Sequence, residues 1–100
     1  MASGFAGTWQ TNYGQLNIEI EGDQVYGTYG NLGGEIEGVV GGNRATGKWN
    51  QQAANSHGAT WGDFVLILQR NGEQFSGQWT YGDDMYPEGG VWSGTKIGGD

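Results

Sequence analysis

The sequence predicts an all-β fold: one domain over residues 1–100, formed by an eight-stranded antiparallel up-and-down β-barrel, with a β-sandwich as the alternative. Three observations predict it. Glycine is abundant, with 22 residues against one proline, which is typical of strands and turns. Short runs alternate apolar and polar residues between turn sequences. A Gly-x-aromatic triplet recurs at 7–9, 27–29, 47–49 and 77–79, a spacing that fits repeated hairpins.

The first four strands follow from this alternation. The first is assigned to residues 5–11. In residues 16–21, Leu16, Ile18 and Ile20 alternate with polar neighbours, and a Gly-Asp turn at 22–23 leads into residues 24–29 as the second arm of a hairpin. Residues 35–40 form the fourth strand after another short link.

The last four strands are predicted in the same way. A turn at 41–43 leads into residues 44–50, and residues 63–69 and 74–81 flank a turn at 70–73, with a final strand over 90–97. Residues 50–57 are the one helical candidate, but the segment is short and has no apolar stripe, which favours a loop. Because most links are short, meander order is the simplest topology, and eight such strands can close without leaving edges.

Period-two alternation also assigns the inward side chains. The inward rows are 5/7/9, 16/18/20, 25/27/29, 36/38/40, 45/47/49, 64/66/68, 75/77/79 and 92/94. A glycine recurs in the middle of most rows, and a glycine inside a strand often marks the close approach of a bulky group. We therefore expect these glycines to make room for indole rings from across the barrel.

In a meander the odd-numbered strands share one direction, so the aromatic residues near their ends are expected at one end of the barrel. This predicts a cluster of Trp9, Tyr29, Trp49 and Trp79, joined by Trp92 from the start of the last strand. The two longest connections, 51–62 and 82–89, belong to the same end. That end is predicted to be open, and the other, with three tight turns, to be closed.

Charge narrows the class of partner. Eleven acidic and four basic residues give a formal charge of −7, which disfavours nucleic acid and anionic membrane surfaces. The absence of cysteine excludes disulfides and thiolate chemistry. No apolar run is long enough for a membrane helix, and no targeting segment is recognisable at the start, so we expect a soluble chain. The aromatic residues then predict a neutral partner.

The aromatic triplets resemble strand motifs of the avidin family. The matching stretches are Gly7-Thr8-Trp9 with Gly14, Gly27-Thr28-Tyr29 and Phe75-Ser76-Gly77-Gln78-Trp79, and the Trp92-to-Asp100 spacing is similar to the family's last strand. The resemblance implies an eight-stranded meander barrel, as in other calycins, with a small-molecule pocket lined by tryptophan at its open end. The family's biotin-contacting Asn and Ser correspond here to Thr11 and Gln15, so the resemblance implies the architecture and not biotin binding.

The candidate ligand-binding residues belong to two groups. Indole and phenol rings stack on flat ligands such as sugars, although the same rings can equally form the core of a small barrel. The ring group is Trp9, Tyr29, Trp49, Trp79 and Trp92; the rim group is Asn12, Tyr13, Asn31, Trp61, Asp83 and Tyr86.

No catalytic residue, metal site or cofactor is predicted. His57 is the single histidine and lies in the longest connection without a second ligand or a nucleophile pattern. The acidic loop 82–89 has no EF-hand alternation, so polar contact with a ligand is favoured over Ca²⁺ binding. Glu19, Glu21, Glu35 and Glu37 are expected on the outer face as solubilising charges.

These observations leave two hypotheses open. The first is a non-enzymatic binding module that takes a neutral small molecule, with carbohydrate preferred, at the open end. The second is a structural or protein-interaction module, because Val65 and Ile67 make the strand 63–69 apolar on both faces and predict a homo-oligomer.

Overall fold

The eight predicted strands are present and close into a single barrel in meander order, each pairing antiparallel with its neighbours. The structure, a computed structural model, describes residues 4–30, 33–52, 60–81 and 89–98. The strands are β1 (Gly7–Thr11), β2 (Gly14–Glu21), β3 (Gln24–Tyr29), β4 (Gly34–Gly41), β5 (Arg44–Asn50), β6 (Trp61–Leu68), β7 (Gln74–Tyr81) and β8 (Gly89–Gly98). The all-β barrel is confirmed and the sandwich is excluded, because β1 pairs with both β2 and β8.

Three strand boundaries differ from the sequence prediction by two residues. Phe5 lies in a turn before β1, where its ring is fully buried. β2 begins at Gly14 and β6 at Trp61, each two residues earlier than expected. In both cases pairing with the neighbouring strand extends further than the apolar alternation does, since backbone hydrogen bonds do not depend on side-chain polarity.

The predicted inward rows are confirmed by burial. The buried apolar side chains come from every strand and from the segment before β1, and outward neighbours such as Asn17, Glu19 and Glu37 are exposed. The buried set is Phe5, Trp9, Leu16, Ile18, Val25, Ile36, Ala45, Trp49, Phe64, Leu66, Phe75 and Trp92. The barrel interior is therefore filled by side chains, as expected for eight strands.

The two ends of the barrel differ. We call the end with the β1–β2, β3–β4, β5–β6 and β7–β8 connections the open end, and the end with the three tight hairpin turns the closed end. The segment before β1 lies at the closed end, because a Cβ added to Gly4 would meet the Leu68 side chain and, at 4.0 Å, the Gly72 backbone of the β6–β7 turn.

The strands are staggered around the barrel. Thr11, at the open end of β1, pairs with Gly94 of β8. Gly94 in turn pairs with Phe75 of β7, and Phe75 pairs with Leu68 of β6. Phe75 and Leu68 flank the β6–β7 turn at the closed end. Closing a barrel requires such a shear, and here it brings the last residues of β1 level with the closed ends of β6 and β7.

The described residues include no helix long and apolar enough to cross a membrane.

Candidate binding site

Three aromatic side chains at the open end each lie against a glycine of the next strand. Trp79 pairs with Gly90, and Trp49 pairs with Gly62. A Cβ at Gly90 would come within 2.8 Å of the Trp79 Nε1 atom, and one at Gly62 within 2.5 Å of the Trp49 Nε1 atom. Tyr29 is held in the same way over its partner Gly34. In three hairpin pairs, β3–β4, β5–β6 and β7–β8, the sequence therefore places an aromatic residue directly opposite a glycine of the neighbouring strand.

This arrangement corrects one prediction. The mid-strand glycines Gly38, Gly47 and Gly77 were expected to face indole rings, but a Cβ at each would meet the backbone of a neighbouring strand. They permit close backbone approach in a strongly coiled sheet. Gly90, near the start of β8, faces the Trp79 indole alone, whereas Gly62, near the start of β6, faces both the Trp49 indole and the Thr80 carbonyl.

The rings at the open end form one connected cluster. Trp49 meets Trp79 edge-on with ring centroids 5.8 Å apart, and Tyr13 contacts Trp79 at 6.0 Å and Trp92 at 6.2 Å. Tyr29 contacts Trp92 at 5.0 Å. All four contacts are T-shaped, the arrangement that ring quadrupoles favour. We call these five residues the aromatic cluster; the structure therefore brings together Tyr29, Trp49, Trp79 and Trp92, with Tyr13 from the predicted rim.

Trp9 lies elsewhere, contrary to the expectation that it would share this end. Its ring packs edge-on against Phe75 with centroids 5.0 Å apart, and its indole N–H donates to the Phe5 carbonyl at 2.9 Å. The Lys96 ammonium lies 5.1 Å from its ring centroid. The prediction was wrong because equal strand direction does not give equal height in a sheared barrel. Trp9 is a core residue toward the closed end.

The β1–β2 turn presents Tyr13 at the open end. The Thr11 hydroxyl donates to the Gly14 carbonyl at 2.6 Å and accepts the Tyr13 amide at 3.0 Å. The Tyr13 hydroxyl accepts the Trp79 indole N–H at 3.0 Å, while 44% of Tyr13 stays exposed. Tyr13 is therefore a solvent-facing aromatic in contact with the two inner tryptophans.

Asn12 has a structural role. Its amide nitrogen donates to the Val91 carbonyl at 2.7 Å, and its amide oxygen accepts the Ser93 backbone N–H at 3.0 Å. The side chain thus links the turn to β8, and both its amide nitrogen and its amide oxygen are used in this link.

The polar atoms within the aromatic cluster are satisfied unequally. The Trp49 indole N–H donates to the Thr80 carbonyl at 3.0 Å, and the Tyr29 hydroxyl donates to the Gln51 amide oxygen at 3.0 Å. Burial raises the pKa of Tyr29 to about 12 by penalising the phenolate. The Trp92 indole N–H is buried and has no acceptor within the described part of the chain. Such a group costs about 1–3 kcal/mol until an acceptor reaches it.

A groove of about 560 Å³ borders the aromatic cluster at the open end. Its walls include the Tyr13 and Tyr29 rings, the amides Gln15 and Gln52, and the carboxylate Glu35. Its floor is largely backbone, because Gly14, Gly30, Gly33 and Gly34 carry no side chains. We call this the rim groove. It combines aromatic surface with exposed hydrogen-bonding groups.

Of the remaining predicted site residues, the structure describes only Trp61, which does not line the rim groove. Trp61 lies on the outer face of β6, 45% exposed, with the Lys48 ammonium 5.5 Å from its ring centroid. Asn31, Asp83 and Tyr86, together with His57, lie outside the described residues.

The sequence reasoning missed the polar half of the rim groove. Glu35 was assigned to the outer face, Gln52 to a loop, and Gln15 to no strand, because alternation reports only whether a side chain faces in or out. An available signal was their position: all three stand within two residues of a strand end on the open side of the barrel.

No protein-family model, no curated protein and no solved structure matches this chain. The small-barrel architecture implied by the avidin resemblance is present in the structure. Within the described ranges, no group of three or more His, Asp or Glu side chains is placed to hold a metal ion.

Proposed function

We propose that this chain is a non-enzymatic module that binds a neutral carbohydrate at the open end of the barrel. The observation that carries the proposal is the rim groove, where the exposed Tyr13 ring and the Tyr29 ring stand beside Gln15, Gln52 and Glu35. A sugar has apolar faces that stack on aromatic rings and hydroxyls that both donate and accept hydrogen bonds. Amide and carboxylate side chains match those hydroxyls.

Two further features support a neutral ligand that approaches the aromatic cluster. The formal charge of −7 opposes polyanions. The Trp92 indole N–H, buried next to Tyr13, has no acceptor among the described residues, so a hydroxyl or carbonyl oxygen that reached it would gain a buried hydrogen bond. Binding is preferred over catalysis because the groove supplies stacking surface and hydrogen-bond partners, with Glu35 as the one carboxylate among the described residues that line it.

Affinity electrophoresis tests the proposal. The protein is run through native gels containing hydroxyethylcellulose, galactomannan or dextran, and we expect retardation by at least one of them. Tyr13→Ala should abolish the retardation, whereas Gln74→Ala, which shortens an exposed residue outside the rim groove, should leave it intact. Equal mobility with and without every polysaccharide would contradict the proposal, as would full retardation of Tyr13→Ala.

A second candidate function, self-association, is favoured by one specific feature of the outer face. A row of direct cross-strand neighbours runs over the outer face from β4 to β8: Val39, Thr46, Val65, Gln78 and Val91. Ile67 lies on the next outward row of β6. We call Val39, Val65, Ile67 and Val91 the outer apolar strip; Val39 is 48% and Val91 58% exposed. Exposed apolar rows of this kind are typical of interaction surfaces.

A further inference from the structure

A second groove, of about 630 Å³, crosses the outer face of the barrel. Asn17, Thr28 and Glu35 line both this groove and the rim groove, so the two are continuous. We call the second one the outer groove. Together they extend around the outer face of the sheet, across β2 to β6.

A row of polar residues follows the outer groove across the strands. Asn17 pairs with Thr28, Thr28 with Glu35, Glu35 with Asn50 and Asn50 with Trp61, one residue from each of β2 to β6. Neighbouring strands are about 4.8 Å apart, so the row extends about 19 Å. All five side chains are exposed. A continuous row of amide, hydroxyl and carboxylate groups offers hydrogen bonds at regular intervals along its length.

Aromatic residues stand at both ends of this path. Tyr13 borders the rim groove at one end, and Trp61 lines the outer groove at the other. The Trp61 ring is held in place by Lys48, whose ammonium lies over the ring and also pairs with Asp63 at 2.6 Å. A cation over an indole face is favourable and restricts the ring's position.

We propose that the ligand is an unbranched neutral glycan chain that starts at the rim groove and continues through the outer groove to Trp61. The inference rests on the proposed carbohydrate function and adds the substrate class: a polymer, rather than a free monosaccharide. The outer groove is longer than one sugar ring. Its central row consists mainly of uncharged hydrogen-bonding groups, namely Asn17, Thr28 and Asn50, which surround Glu35. Its remaining carboxylates, Glu19 and Glu37, repel anionic chains and accept hydroxyl hydrogen bonds.

Chain length is the measurement that tests this inference. Oligosaccharides from the monosaccharide to the hexasaccharide, prepared from the polysaccharide that retards the protein, are titrated by calorimetry. We expect the dissociation constant to fall beyond the disaccharide. Trp61→Ala should weaken hexasaccharide binding at least about fivefold, because it removes the aromatic contact at the far end of the path, and leave monosaccharide binding unchanged. Tyr13→Ala should weaken binding at every length.

The controls separate this inference from the function on which it rests. Trp61→Phe should restore most hexasaccharide affinity, and Gln74→Ala, at an exposed position outside both grooves, should match the unmodified protein. The extended path would be overturned if the affinity stopped rising at the disaccharide, or if Trp61→Ala bound the hexasaccharide as tightly as the unmodified protein. In either case, a loss of binding in Tyr13→Ala would still support the rim groove. Tighter binding of a cationic glucosamine oligomer than of its neutral counterpart would overturn the neutral assignment. No binding at any length would refute both proposals.

Discussion

The Thr11 hydroxyl controls the placement of the most exposed ring in the aromatic cluster. It bridges the Gly14 carbonyl and the Tyr13 amide, at 2.6 and 3.0 Å, and Thr11 is only 7% exposed. Both partners belong to the turn that presents Tyr13. A single buried hydroxyl therefore connects the fold of β1 to the geometry of the proposed site.

Thr11→Val tests this role with little change in shape. The variant removes both hydrogen bonds, so we expect the free energy of unfolding to fall by about 1–3 kcal/mol, measured by urea denaturation. Glycan affinity should fall as well, since Tyr13 is no longer fixed. Thr95→Val, at an exposed position on β8, is the control and should stay within about 0.5 kcal/mol of the unmodified protein. An equal change in the two variants would refute the role of the bridge.

The Tyr29 hydroxyl gives a signature at alkaline pH. Its folded pKa is raised to about 12 by burial, above the ordinary value of 10.0. The folded state then holds the proton more tightly, so this contribution to stability is complete below pH 10 and is lost as the pH rises to about 12. We expect Tyr29→Phe to remove that part of the alkaline decline in unfolding free energy, and the tyrosinate absorbance to lose its highest-pH step. Identical alkaline stability curves for the two proteins would contradict the shift.

At the scale of strands, the open end is organised by pairs of an aromatic residue near the end of one strand and a glycine near the start of the next. Trp79 and Gly90 show the principle most simply, because the atoms nearest to a Cβ on Gly90 all belong to the Trp79 ring. A side chain there would push the indole away from the sheet and disturb its contacts with Trp49 and Tyr13.

Gly90→Ala measures the value of this fit. Overpacking of this kind costs about 1–3 kcal/mol, and the tryptophan emission should shift as the Trp79 ring moves. Gly41→Ala is the matched control: Gly41 also lies at the end of a strand, has no positive φ, and has nothing within 4 Å of an added Cβ. It should change the unfolding free energy by no more than about 1 kcal/mol, in either direction. A Gly90→Ala protein as stable as Gly41→Ala would show that the indole does not need the glycine.

At the scale of the whole molecule, the features predicted correctly from the sequence are those that depend on interactions within one strand or between neighbouring strands. Alternation predicted the eight strands and the inward rows, because a side chain's face depends on its own strand alone. It failed for Trp9, whose height relative to Trp79 depends on the registers summed around the barrel. The rim and outer grooves were missed for the same reason: the surfaces that carry Tyr13, Asn17 and Trp61 become continuous only once twist and shear are fixed.

The same closure gives the barrel two chemically different outer surfaces. The outer groove covers β1 to β6 with polar and acidic side chains, whereas the outer apolar strip crosses β4 to β8 and shares no residue with it. Association through the strip would use residues other than those that line the outer groove. A neutral glycan polymer that bound several copies of an oligomer at once would show a higher apparent affinity than for a single copy, through multivalency.

Val65→Lys tests this assembly. Val65 lies at the centre of the outer apolar strip, between Thr46 of β5 and Gln78 of β7. A buried ammonium at an interface is costly, so we expect static light scattering over a concentration series to change from an oligomer to a monomer. Gln10→Lys, an exposed position on β1 outside the strip, adds the same charge and should leave the mass unchanged. A monomeric mass for the unmodified protein at every concentration would refute self-association, whereas a loss of mass confined to Val65→Lys would place the interface on β6.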